Sequence, residues 1–265
     1  MAWVNSYKPP TYPPLTGEQL YGPDPYDINF VFPIQTESLE SERVKLTPFI
    51  PRIHAKAFEK ALLAHGKELY RFYPFIPSTL EEFLTQIEHH FRPNSGFVLF
   101  AILDKTKQDE NHPEITGGTL AGVVGLYGPS AVENLAMEIG YIIVFPEFQR
   151  SYISSNSVGI LLKYCLDLPT ASPPGLGLRR VQWHCHSKNE GSKRLAQRMG
   201  FALEGVMRWH WVLPETLAKD GKTNLREGDP YPNKPGRDTT VLAICWDDWE
   251  NGMREKVQEQ IDRRV

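Results

Sequence analysis

The chain has 265 residues, with 29 basic and 32 acidic side chains giving a net charge of −3, and 41% of it is hydrophobic. That length allows one or two globular domains with an ample core, and near-cancelling charge gives no electrostatic footprint for a nucleic-acid or membrane partner. No apolar run approaches the ~18 residues of a membrane span, no basic-then-apolar signal opens the chain, and three cysteines without CxxC spacing argue against a disulfide framework, so the expectation is a cytoplasmic protein.

Residues 1–42 form a Pro- and Tyr-rich arm without helical or strand period, holding Tyr7, Tyr12, Tyr21, Tyr26, Phe30 and Phe32. Proline fixes φ and withholds a donor, so regular structure is not expected there, and the aromatics imply packing along the domain surface. Arg43 to Phe49 alternates as a first strand. A helix follows from about Pro51 to His65. Ser78-Thr79-Leu80-Glu81 reads as a capping box opening a second helix, with Leu80, Phe83, Leu84 and Ile87 on one face. Phe97 to Leu103 and Thr119 to Tyr127 are strands joined by the polar loop Asp104 to Gly117.

Ala136 to Phe145 is the next strand. Alternation places Glu138 on one face with Gly140, Ile142 and Val144, and Tyr141 on the other unless a bulge reverses it. The strand runs into Pro146-Glu147-Phe148-Gln149-Arg150-Ser151-Tyr152-Ile153-Ser154, after which Val158, Leu161, Leu162, Cys165 and Leu166 fall on one helical face. Ser154 and Ser155 stand at the start of this helix, where a hydroxyl can accept from an orphan amide. Free amides and the positive helix end suit a diphosphate, although strand, turn and helix can equally be a plain connection. A strand from Arg179 to His186 follows. Asn189 can cap the next helix and Gly200 fits the left-handed position that ends one. His184 and His186 share a strand face from which Cys185 turns away; two ligands fall short of a structural zinc site, so no metal is expected. Ala202 to Leu213 and Thr239 to Cys245 are the last strands. The loop Pro214 to Arg237 is longer than compact domains usually need, which suggests that it covers something. A charged helix begins near Asp248.

The order of elements and the run strand-Pro-x-x-Gln-x-x-Tyr-x-Ser resemble the GCN5-related N-acetyltransferases, and Gln149-Arg150-Ser151 is similar to the loop of their RimJ and RimL branch. Tyr152 stands where the family usually has its first glycine. Asn189, the helix after it and Gly200-Phe201 extend the resemblance, which spans roughly Arg43 to Trp246. It implies an α/β (α+β) fold: a mixed, mostly antiparallel twisted sheet of six to seven strands flanked by helices and splayed between its fourth and fifth strands. The units expected are an arm (1–42), an acetyltransferase domain (43–247) and a terminal helix (248–265). The resemblance implies acetyl-CoA as cosubstrate, held by Ile143, Val144, Gln149, Arg150, Ser151, Tyr152, Ile153, Ser154, Ser155, Asn189 and Ser192. Acetyl transfer needs a deprotonated amine, and Glu138 is the candidate base. Ala196 occupies the position where many members carry a tyrosine acid. Tyr73, Phe75 and His186 fall in regions that build the acceptor side. The implied activity is transfer of an acetyl group to a small-molecule amine by a monomer or homodimer. A protein N-terminal acetyltransferase and a catalytically degenerate CoA-binding protein are the alternatives.

Overall fold

A computed structural model describes residues 3–264; residues 1, 2 and 265, the outer ends of the expected arm and terminal helix, lie outside the described residues. Seven strands form one sheet in the order β1-β2-β3-β4-β5-β7-β6. They are β1 (Val44–Pro48), β2 (Phe97–Asp104), β3 (Thr119–Tyr127), β4 (Ala136–Val144), β5 (Arg180–His186), β6 (Ala202–Val212) and β7 (Gly236–Cys245). Every neighbouring pair is antiparallel except β4 and β5, which are parallel. The helices are α1 (Pro51–Leu69), α2 (Leu80–Gln86), α3 (Ala131–Asn134), α4 (Ile153–Leu166), α5 (Glu190–Arg198), α6 (Trp246–Asp248) and α7 (Arg254–Asp262).

β2 and β3 are buried at almost every position, because both faces of the sheet's centre are covered, α1 packing on β3 and α4 crossing β1, β2, β4 and β5. Such strands read as continuous apolar runs rather than alternating ones. α4 is buried on nearly all sides, and α7 closes over it. Gly159 permits that approach, since a Cβ there would stand 2.7 Å from Ile261 Cγ1.

Local differences from the sequence expectation have identifiable causes. The box that opens α2 lies one residue later than expected: Thr79 Oγ1 accepts from the Glu82 amide at 3.2 Å, and Glu82 Oε2 accepts from the Ser78 amide at 2.6 Å. α1 extends to Leu69, with Pro51 in its first turn where no amide is required. β7 begins at Gly236, three residues before the expected start, because the Gly236 amide and carbonyl pair with Lys222.

The arm, from Trp3 to Glu42, carries two short 3-10 turns, Gly17–Tyr21 and Thr36–Ser38. Leu20 and Leu39 enter the core. Tyr26 donates to Glu88 Oε1 at 2.8 Å, Tyr164 to the Pro33 carbonyl at 2.8 Å, and Ser38 to the Pro174 carbonyl at 2.6 Å. Tyrosine hydroxyls and backbone carbonyls thus strap the arm across α2 and α4.

Candidate active site

β4 and β5 pair only at Ala136–Arg180, Met137–Val181 and Glu138–Gln182. Beyond Glu138 they part, and a cleft of about 480 Å³ opens between them. β4 bends at the same place. Gly140 lies opposite Gly125 and Ile143 opposite Val123, so Tyr141 and Ile142 together face the single residue Val124. This is a β-bulge, and Tyr141 takes its left-handed backbone (φ 51°). The bulge interrupts the alternation that would put Ile142 and Val144 on the face of Glu138, and Tyr141 does not turn to the far side. Its ring stacks on Phe75 and meets the edge of Phe91, which in turn packs against Tyr127, the Cα partner of Glu138.

At one end of the cleft lies the turn into α4. Gln149 Nε2 donates to the Val144 carbonyl at 2.9 Å, tying the turn to the end of β4. Arg150, not Tyr152, takes the left-handed conformation (φ 57°). Tyr152 has φ −70° and is the N-cap residue of α4, so the position needs no glycine. Its ring turns out of the cleft: the hydroxyl lies 2.8 Å from both Asp104 Oδ1 and Thr106 Oγ1, and the Arg43 guanidinium covers the ring at 4.2 Å. Ser154 and Ser155 do not cap α4 through their hydroxyls. Ser155 instead receives Arg198 Nη2 at 3.3 Å. With the Ile153 amide donating to Ser151 Oγ, the amides of Ser154 and Ser155 remain the orphan donors of the first turn.

Val144, Gln149, Arg150, Ser151, Ser154, Asn189 and Ser192 all line the cleft. Ile143 and Ile153 are buried in the core, and Tyr152 and Ser155 face a separate shallow concavity. Their backbones belong to the turn, but the side chains of these four do not reach the cleft. Asn189 Oδ1 accepts from the Ser192 amide at 3.1 Å and caps α5, while Ser192 Oγ accepts from Trp183 Nε1 at 2.9 Å. Gly191, Arg194, Leu195 and Arg198, which the sequence reading did not single out, also line this wall; their i, i+3, i+4, i+7 spacing is the signal that would have found them. The cations of Arg150, Arg194 and Arg198 beside orphan helix amides give an anion-binding end that fits a diphosphate.

At the other end, Glu138 and His184 form a pair: His184 Nδ1 donates to Glu138 Oε2 at 2.6 Å, each side chain being 23% exposed. The imidazole lines the cleft and the carboxylate backs it. Gly140 leaves room for this carboxylate, since a Cβ there would stand 3.1 Å from Glu138 Oε1 and 3.2 Å from the Tyr127 ring. Tyr73 lines the cleft and donates to the Ile142 carbonyl at 3.1 Å; desolvation pushes its hydroxyl well above the ordinary tyrosine range. Phe75 lies behind Tyr141, outside the cleft. His186 is nearly fully buried against Phe72, its Nδ1 accepting from the Lys188 amide at 3.0 Å. Burial, with the Arg237 and Lys188 charges, lowers its pKa to about 4, so it stays neutral at pH 7. Ala196 is fully buried and brings no hydroxyl to the site. The long loop is tied to the segment after α1 by Arg71, which donates to Asp220 Oδ1 from Nη2 at 2.8 Å and from Nε at 3.2 Å, and none of its residues from 214 to 236 lines the cleft.

A sheet parted between two parallel strands, with an uncapped helix N-terminus at the opening, defines an acetyltransferase-type architecture. The chain belongs to the GNAT acetyltransferases: the family profile described as acetyltransferase (GNAT) domain matches residues 43–202. It is 30% identical over 125 residues to the uncharacterized N-acetyltransferase YoaA of Bacillus subtilis (strain 168), covering 47% of this chain and 55% of that protein. The chain thus spans about half the length of this curated relative. Among solved structures, a GCN5-related N-acetyltransferase from Brucella melitensis matches with a TM-score of 0.61 at 24% identity over 83% of each chain. Mycobacterium smegmatis RimJ in complex with CoA-disulfide matches with a TM-score of 0.57 at 16% identity, over 81% of this chain and 88% of that one. Spermidine N-acetyltransferase from Vibrio cholerae, in complex with CoA and spermine, matches with a TM-score of 0.54 at 15% identity, over 80% and 100%. At these identities the structural likeness concerns the fold. Among the described residues no helix is long and apolar enough to cross a membrane.

Proposed function

We propose that the protein is an acetyl-CoA-dependent N-acetyltransferase acting on a small-molecule amine, related to the RimJ and RimL branch. The observation that carries this reading is the single cleft with orphan α4 amides and three arginines at one end and the Glu138–His184 pair at the other. Acetyl-CoA, when bound, supplies a thioester carbonyl open to an amine and a thiolate able to depart. The amides of Ser154 and Ser155, with Arg150, Arg194 and Arg198, would hold the diphosphate. Asn189 and Ser192 would line the pantetheine path.

An amine acceptor is protonated at neutral pH and must lose a proton before it attacks. With Nδ1 held by Glu138, His184 keeps Nε2 as its free nitrogen, and we assign the proton to that atom. Glu138 then acts as the residue that fixes the tautomer and stabilises the imidazolium. The base expected from the sequence thus becomes one half of a pair. A small molecule is favoured over a protein terminus because the Arg71–Asp220 pair ties the long loop to the segment after α1, next to Phe72 and Tyr73 of the cleft.

Thermal shift with acetyl-CoA, coenzyme A and ATP in parallel, followed by coenzyme A release over an amine panel, tests the reading. Stabilisation by both CoA species and not by ATP, with release dependent on an amine, is the expected result. Stabilisation without turnover on any amine would mark a binding protein, and no shift with either CoA species would reject the cofactor.

A further inference from the structure

Two arginines are buried among the described residues, Arg43 and Arg237. Arg43 donates to the Ile261 and Arg263 carbonyls at the end of α7 and lies over the Tyr152 ring. Arg237 is 7% exposed and lines the cleft. Its Nη1 donates to the Phe72 carbonyl at 3.2 Å, its Nε is buried without an acceptor, and no carboxylate pairs with it among the described residues. A buried, unpaired cation is strongly unfavourable unless an anion completes it. Burial accordingly lowers the Arg237 pKa, the nearby Cys185, Tyr73 and Glu138 groups opposing this only in part.

Its position says what the anion belongs to. Arg237 sits near the start of β7 beside Phe72, in the end of the cleft that holds His184 and Tyr73. The three arginines suited to a diphosphate come instead from the α4 turn and α5. We propose, resting on the acetyltransferase reading above, that Arg237 binds a carboxylate carried by the acceptor, so that the acceptor is an amino acid or another amino carboxylate rather than a simple amine. Arg237 holds the carboxylate and His184 faces the amine. A guanidinium presents paired N–H donors that match a carboxylate.

Matched acceptors differing only in the carboxylate test this: L-phenylalanine against phenethylamine, γ-aminobutyrate against propylamine, and ε-aminocaproate against pentylamine. Coenzyme A release is measured with the unmodified protein, Arg237→Gln and Arg237→Lys. Calorimetric binding of the same compounds to the CoA-loaded protein gives a readout independent of turnover. Melting temperature and CoA affinity are recorded for each variant. The expected result is a preference of at least tenfold in kcat/KM or affinity for the carboxylate member of at least one pair. That preference should be abolished in Arg237→Gln, as expected when one partner of a buried charge pair is removed. It should fall less in Arg237→Lys. Acetylation of the amines with no carboxylate preference would overturn the inference and leave the acetyltransferase reading standing. Equal loss on both members of a pair would assign Arg237 to the thioester oxygen, and loss of CoA affinity would assign it to the cofactor; either overturns the inference. Absence of CoA binding in the unmodified protein would instead defeat the reading on which it rests.

Discussion

Tyr152→Phe isolates the reason a tyrosine stands in this turn. The substitution removes one oxygen from a compact set around Asp104, a carboxylate only 1% exposed. Asp104 Oδ1 receives the Tyr152 hydroxyl at 2.8 Å, the Thr106 hydroxyl at 2.7 Å and the Thr106 amide at 3.0 Å. Deleting one donor to a buried anion costs about 2 kcal/mol, while the ring keeps its contact with Arg43. For a chain of this length that corresponds to a melting temperature lower by roughly 4–8 °C. Because the ring faces away from the cleft and the substitution leaves the backbone amides in place, CoA affinity measured by calorimetry should stay within about threefold, well below the tenfold that about 1.4 kcal/mol would give. Tyr152→Gly should lose more stability, since it also removes the ring and frees the backbone. An unchanged melting temperature with tenfold weaker CoA binding would show that the hydroxyl serves the cofactor and that the packing argument is wrong.

Glu138→Gln and His184→Gln should each lower turnover by about 10²-fold or more while CoA affinity holds, because a positioned base contributes 10²–10⁴; full activity in His184→Gln would remove the imidazole from the mechanism. Gly140→Ala should lower turnover about tenfold at near-normal stability, because the added Cβ meets Glu138 Oε1 at 3.1 Å and displaces the carboxylate; kinetics beside a melting curve decide it. His54 Nδ1 accepts from the Ile50 amide, and burial lowers the His54 pKa from 6.5 to about 4. A histidine kept neutral by folding stabilises fully above pH 6.5 and loses that contribution as the pH falls toward 4. Stability should therefore drop by about 2–3 kcal/mol between pH 7 and 4.5, and by less in His54→Gln. His186 contributes a further slope of the same sign. An identical pH dependence in variant and unmodified protein would reject the assignment.

Strands, helices and the turn into α4 were legible because they rest on local periodicity and on single residues such as Asn189 and Gly200. What stayed hidden depends on partners distant in sequence. Glu138 is visible as an acidic residue in an apolar strand, but its tie to His184 crosses 46 positions. A bulge at Tyr141 was open as an alternative to plain alternation, but nothing local selects it, because Tyr141 holds the left-handed conformation without glycine's freedom. The bulge also separates Tyr73, in the cleft, from Phe75, behind Tyr141. Arg237 was assigned to the end of a loop because the pairing that starts β7 early involves Lys222, fourteen residues before Gly236.

The strap made by the arm has a consequence for the order of events on the ribosome. Tyr26, Pro33 and Ser38 emerge first, yet their partners Glu88, Tyr164 and Pro174 follow 62, 131 and 136 residues later. At 5–20 residues per second, the last of these contacts must wait roughly 7–27 s after Ser38 appears. Until α1, α2 and the segment after them are made, Tyr21, Phe30 and Phe32 have no surface to cover, and nascent chains halted before α2 should engage chaperones through this segment. The arm is made before any of the surfaces that fasten it.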